Sequence, residues 1–242
     1  NRLEEIAVEG TRNVLEAALQ NKIPRTLHVS SSVAINASTE PVIFDEHSKY
    51  ELQDSGLHYS IAKFRAEQVV REYADVRGLN VTTVNPCEIY GPNDEDLVTA
   101  SNLLAVLKGS PSLVCHGGTS VAPVDDIARG IVLALEKGKK GERYILGGEN
   151  LSVAELSRLV RQIAGKNPRT WILPNGILKF LCNGMSLLGL PPPVPLDILD
   201  YAVLYWFVDS SKAKHELGYT ARPAQETFTD VVRWRKDTRR IS

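Results

Sequence analysis

Long helical stretches alternate with short β-branched runs along nearly the whole chain, and this alternation restricts the fold more than any other feature. "EEIAVEGTRNVLEAALQN" spaces Ile6, Val14, Leu15, Ala18 and Leu19 at helical intervals, and "KIPRTLHVSSSVAI" follows as an apolar run entering a serine cluster. A loop broken by Pro and Asp leads to a second helix, predicted from about Tyr59 to Arg77. "GLNVTTVNPCEIYGP" reads as a strand ended by Pro86 and a Gly91–Pro92 turn. "DLVTASNLLAVLKG" predicts a helix, and "VDDIARGIVLALEKG" another, with Asp125 or Asp126 placed to cap it. "ERYILGG" is a short strand, and the helices "SVAELSRLVRQIAG" and "AQETFTDVVRWRKDT" bracket a Pro-rich region. Strands and helices of this length in alternation indicate an α/β doubly wound parallel sheet covered on both faces.

Composition removes several function classes. The 242 residues carry a formal net charge of -1 with the signs interspersed, which leaves no electrostatic footprint for nucleic acid or an anionic membrane. The basic tail "RWRKDTRR" reads as a solvated helix end. Cys87, Cys115 and Cys182 are scattered without metal spacing, so neither a disulfide framework nor a metal site is expected. A reducing compartment is expected: the cytoplasm, or an organelle matrix or stroma. The first residues, "NRLEEIAVEG", are charged and lack a secretory pattern. "ILKFLCNGMSLLGLPPPVP" is too short an apolar run to span a bilayer and is expected as a buried or interfacial helix and turn.

"GLHYSIAKFRAEQVVREY" places Tyr59 and Lys63 four positions apart at the head of a helix. Residues at i and i+4 share a helix face with Cβ atoms about 5–6 Å apart. A tyrosine is a poor acid or base near neutrality, and a nearby cation favours its phenolate. Ser30, Ser31 and Ser32 fall where the first strand ends, and ligands of open α/β sheets bind beyond the carboxyl ends of strands. The strand end at Pro86 lies after the tyrosine helix. His58 reads as an exposed helix-start residue. Tyr205 and Trp206 read either as core or as the lining of a hydrophobic pocket.

"VEGTRNVLEAA", "HVSSSVA", "YSIAK", "VNPCEIYGPND", "VDDIARGIVLALEKGKKGERYILGGENLSVAEL" and "KHELGYTARPAQETF", in this order, resemble the extended short-chain dehydrogenase/reductase family, also called NAD-dependent epimerase/dehydratases. The resemblance is greatest to its dihydroflavonol reductase-like and hopanoid-associated sugar epimerase branch. It implies a Rossmann-type sheet with a smaller C-terminal α/β substrate lobe. Residues 1–90 and 120–148 would form the nucleotide-binding core, and 91–119 and 149–242 the lobe. By the same resemblance Tyr59 is the acid/base, Lys63 binds the nicotinamide ribose and lowers the tyrosine pKa, and Ser32 orients the substrate oxygen. Ser30, Pro86, Cys87 and Glu88 would line the nicotinamide.

Ala7 stands where the family carries Asn before "VEGT", and Asn85 and Glu88 depart from nucleotide-sugar enzymes. A carboxylate near a diphosphate is repulsive, which favours reduction of a less charged carbonyl compound. The expected function is therefore hydride transfer between NADP, or NAD, and a carbonyl/hydroxyl of a small hydrophobic substrate, by a chain that can pair as a homodimer. A nucleotide-sugar epimerase or dehydratase, or a non-catalytic scaffold, are the alternatives. "CHGGTS" and "LGGEN" read as turns, not as the Gly-rich phosphate loop. The first βαβαβ part, about 70–90 residues at about 30 per βαβ unit, is thus expected to precede Asn1.

Overall fold

The computed structural model describes residues 2–94, 112–166, 170–190, 192, 194 and 196–238. The helix predicted over 96–109 lies outside the described residues. The chain opens with α1 (Arg2–Gln20), whose Leu15 and Ala18 are buried while Ile6 and Val14 face outward. β1 (Thr26–Val29) follows, then a 3₁₀ turn (Ser32–Ala34) and a two-residue strand β2 (Ile43–Phe44). α2 (His58–Asp75) packs along α1 through Val69, Val70, Tyr73 and Ala74. The Tyr73 hydroxyl donates to Glu16 at 2.8 Å, and Arg77 pairs with the same carboxylate, so Glu16 is held at a pKa of about 2.

β3 (Val81–Pro86) is buried at every position and lies between β1 and β7 (Arg143–Leu146), parallel to both. A strand enclosed on both faces reads as a continuous β-branched run, as "VTTV" does. A second sheet has the order β2, β10 (Tyr205–Val208), β6 (Gly118–Pro123), β4 (Glu88–Tyr90), with β8 (Glu149–Ser152) antiparallel to β6. β5 (Ser112–Val114) pairs with β9 (Thr170–Ile172). The remaining helices among the described residues are α3 (Val124–Lys137), α4 (Val153–Ala164), α5 (Asn175–Leu187), α6 (Leu196–Ala202), α7 (Ser211–Leu217) and α8 (Ala224–Asp237).

Three local readings change. The glycine pairs at 117–118 and 147–148 serve close approach: a Cβ on Gly117 would strike the Ala202 carbonyl, and one on Gly148 the Val121 carbonyl. Neither Asp125 nor Asp126 caps α3, which begins after Pro123 without a side-chain cap. Asp126 is instead fully buried and accepts the Arg222 backbone N–H at 2.7 Å, tying α3 to the C-terminal segment. The basic tail is not wholly solvated either, because Arg235 shares the inner face of α8 with Val231 and Val232 and is enclosed. A capping box does start α4, where Ser152 and Glu155 exchange hydrogen bonds.

α4 and α8 close over β4 and β6 through Val160, Phe228 and Tyr90, whose ring meets Phe228 edge-on at 4.9 Å. Truncating Phe228 to alanine leaves a cavity its neighbours cannot fill. Phe228→Ala is expected to cost about 3–5 kcal/mol in urea unfolding, with the slope against denaturant unchanged.

Candidate active site

Tyr59, Lys63 and Glu67 form one stripe on α2, each four residues from the last. The helix start has no side-chain cap of its own. The Tyr201 hydroxyl of α6 supplies the acceptor, taking the Tyr59 backbone N–H at 3.1 Å. Tyr201 is in turn fixed by Trp206, whose ring stacks on it at 5.7 Å and whose indole N–H donates to the Tyr201 carbonyl. Trp206 is therefore core, packed with Ala37 and Leu57, while Tyr205 is half-buried.

A second set of contacts brings the serine turn to the helix. Fully buried Ser60 donates to the Val33 carbonyl at 2.8 Å and receives the Tyr50 hydroxyl at 2.8 Å. The Asn85 side chain donates to the Ser31 carbonyl at 2.9 Å and to Glu67 Oε1 at 2.5 Å. Between these braces Ser31 is extended and accepts the Val33 N–H at 3.4 Å, and it lies near enough to Tyr59 to lower its pKa.

Ser31 is half-buried, and Ser32, expected to orient the substrate oxygen, opens the 3₁₀ turn with 6% of its surface exposed. Ser30 lies beside the Glu67 carboxylate, where it favours the ionised form without reaching good hydrogen-bond geometry. Pro86 ends β3 in the interior. Cys87 turns into the apolar cluster of Val84, Ala122 and Ile127, and burial pushes its thiol up to about 12. The Glu88 carboxylate accepts the Tyr90 hydroxyl at 2.7 Å. His58 is exposed.

Electrostatics at the pair differ from the expected lowering of the tyrosine. The Lys63 ammonium stands 5.7 Å from the Tyr59 ring centroid, over the ring. Burial therefore dominates and raises the Tyr59 pKa, against a smaller lowering by Ser31. Burial lowers that of Lys63, opposed by Glu67. Tyr59 accordingly remains a protonated donor through neutrality. Among the described residues no cluster of three or more His, Cys, Asp or Glu has the geometry to hold a metal. No helix among them is long and apolar enough to cross a membrane. A polar cavity of about 510 Å³, lined by Asp45, Ser48, Asn150, Asp209 and Ser210, includes neither Tyr59 nor Lys63.

A model of the NAD dependent epimerase/dehydratase family matches residues 1–147. The chain belongs to that family. The sequence is similar to a tetraketide alpha-pyrone reductase of Arabidopsis thaliana, 34% identical over 93% of this chain and 64% of that protein. It is also similar to sterol demethylase protein B of Methylococcus capsulatus, 28% identical over 96% of this chain and 72% of that protein. The crystal structure of gox2253 superposes with a TM-score of 0.85 at 34% identity, covering all of this chain and 74% of that one. This extended short-chain dehydrogenase/reductase is an NAD(P)-dependent enzyme of hydride transfer, and its cofactor is a nicotinamide dinucleotide.

The donor set suits such a cofactor. A hydroxyl and an ammonium from one helix face, with Tyr59 still 44% exposed, can meet ribose hydroxyls beyond the carboxyl ends of β1 and β3. Among the residues that sequence reasoning missed, Asn85 carried a signal as a polar residue inside a β-branched strand, and Glu67 as the third member of the stripe. Tyr201 carried none.

His28 supplies a pH test of this region. Burial, then the Lys63 charge, hold its pKa at about 4 against an ordinary 6.5. Above 6.5 neither state is protonated; between 6.5 and 4 the unfolded chain takes up a proton that the folded chain refuses, so stability falls as pH falls. His28→Gln is expected to flatten that fall, which at full extent amounts to about 3 kcal/mol, in urea titrations across the window.

Proposed function

We propose that this chain reduces the carbonyl of a substrate with substantial apolar surface, or oxidises the corresponding alcohol, with NADP favoured over NAD by the reductive direction. The observation that carries the reading is the placement of Tyr59 and Lys63 on one face at the head of α2, with the ammonium 5.7 Å from the Tyr59 ring centroid. When bound, the nicotinamide supplies the hydride. The Tyr59 O–H bond breaks as the substrate oxygen gains the proton, and the Ser32 hydroxyl hydrogen-bonds the oxygen on which charge develops. The Lys63 cation steadies the phenolate left behind. In this reading Ser30, Pro86, Cys87 and Glu88 line the nicotinamide pocket.

Apolar substrate chemistry has independent support in the C-terminal lobe, for which we keep residues 91–119 and 149–242. Ile177, Phe180, Leu187 and Leu188 of α5 and its end are exposed, with Phe180 at 82%. Ligand sites are mostly apolar in lining, and both relatives named above carry names of lipophilic or polyketide chemistry. The same reading includes a homodimer, for which exposed Leu3, Ile6 and Val14 of α1 offer an apolar face. It also includes a reducing compartment, since all three cysteines are free and buried.

Two measurements test it. Tyr59→Phe is expected to lower kcat by about 10²–10⁴ while the cofactor Kd stays nearly unchanged; unaltered turnover would refute the assignment of Tyr59. In a panel of carbonyl compounds, NADPH consumption is expected to rise with the apolar area of the substrate. Activity confined to nucleotide sugars, with the cofactor returned to its starting state, would replace this reading with an epimerase.

A further inference from the structure

The first turn of α2 carries Tyr59, and it begins without a polar residue of its own. The first amides of a helix have no partners within it and must find them elsewhere. Leu57 stands in the capping position, where a serine, threonine, aspartate or asparagine side chain would ordinarily accept. It is apolar because it is core: Leu57 is 4% exposed and packs with Ala37 and Trp206. Of the amides that follow, that of His58 donates back to the Gly56 carbonyl at 2.9 Å and that of Ile61 to the Leu57 carbonyl at 3.0 Å. The Tyr59 amide donates instead to a side chain 142 positions away in sequence, the Tyr201 hydroxyl, at 3.1 Å.

Tyr201 is held well enough for its hydroxyl to serve as a fixed point. Its ring lies 20° from parallel with that of Trp206, the centroids 5.7 Å apart. Its carbonyl accepts the Trp206 indole N–H at 2.9 Å and the Leu204 amide at 3.2 Å. Leu52 and Leu204 pack against the same cluster. Trp206 is in turn fixed by β10, whose register pairs it with Thr119 of β6. The chain from α6 to β10 thus forms a bracket anchored in the second sheet, and the Tyr201 phenol is the part of it that grips the head of α2.

We propose that Tyr201 is a positioning residue for proton transfer: its hydroxyl, brought from the C-terminal lobe, fixes the first turn of α2 and with it the direction in which the Tyr59 phenol leaves the helix. Side-chain direction follows the backbone in a helix, so a first turn that opens carries the phenol away from the substrate oxygen. Lys63, one turn further on, lies inside the helix and does not depend on the bracket. Tyr201 acts through the Tyr59 backbone. The inference rests on the assignment of Tyr59 as proton donor.

Tyr201→Phe removes the acceptor and keeps the ring against Trp206. Hydrogen exchange of single amides is expected to quicken about tenfold at Tyr59 in this variant, with Val69 and Val70 further along α2 unchanged. An unchanged Tyr59 amide overturns the proposal. So does quickening shared along the whole of α2, since that marks general loosening. Turnover then separates positioning from a merely structural role. With NADPH and the most active carbonyl compound of the panel above, Tyr201→Phe is expected to lower kcat by about 10–10² while KM stays nearly unchanged. Added to Tyr59→Phe, it is expected to cause no further loss, because no hydroxyl remains to be aimed. Equal losses with and without the Tyr59 hydroxyl overturn the proposal, as does full turnover in Tyr201→Phe. Unaltered turnover in Tyr59→Phe alone is the different result that refutes the acid assignment itself, and the proposal with it.

Discussion

The amide of Asn85 is the joint on which the site depends. It is wholly enclosed at the end of β3, and its two donor bonds run to different elements: the Ser31 carbonyl after β1 and the Glu67 carboxylate on α2. A strand, a turn and a helix are thereby fixed to one planar group. An amide suits this position because it donates twice without adding a charge to an interior that already holds Glu67 and Arg143. Removing it would leave a buried carboxylate short of a donor and a carbonyl short of a partner, which is the expensive way to lose a hydrogen bond.

Much of the fold was legible because it follows from periodicity. The helices at Arg2–Gln20, His58–Asp75 and Val153–Ala164 lie where the apolar spacing puts them, and β3 where "VTTV" does. The Tyr59–Lys63 stripe was visible for the same reason. What escaped was whatever depends on chain direction at a turn or on distant contacts. Ser30, Ser31 and Ser32 are indistinguishable by composition, and no spacing announces that a 3₁₀ turn begins at Ser32. Tyr201 lies far from Tyr59 in sequence, and no local pattern announces that it caps α2. The tyrosine pKa also escaped, because four-residue spacing gives proximity but not whether an ammonium faces a hydroxyl or a ring.

The expected lobe is interleaved with the expected core. β10, late in the chain, lies between β2 and β6, and the α6–β10 region reaches the catalytic helix through Tyr201 and Trp206. Substrate-side residues and the proton donor therefore share one rigid connection made of a hydrogen bond and a stacked ring pair. Changes in α6 that never approach the reacting atoms bear on how Tyr59 is presented.

The placement of β10 also sets an order of assembly. β1, β3 and β7 can pair once the chain is complete to Leu146, but Phe207 must find Ile43 before the second sheet closes. Parallel pairing across so long a loop is slow, because closure entropy is spent before any contact rewards it. During synthesis, β2 and β6 emerge with unpaired edges and wait for a strand that leaves the ribosome last among those of the sheet. An unpaired edge is a template for association with other chains. The brevity of β2, two residues long, limits that exposure, and the short final strand that seals both edges makes the late C-terminal segment the step on which correct folding turns.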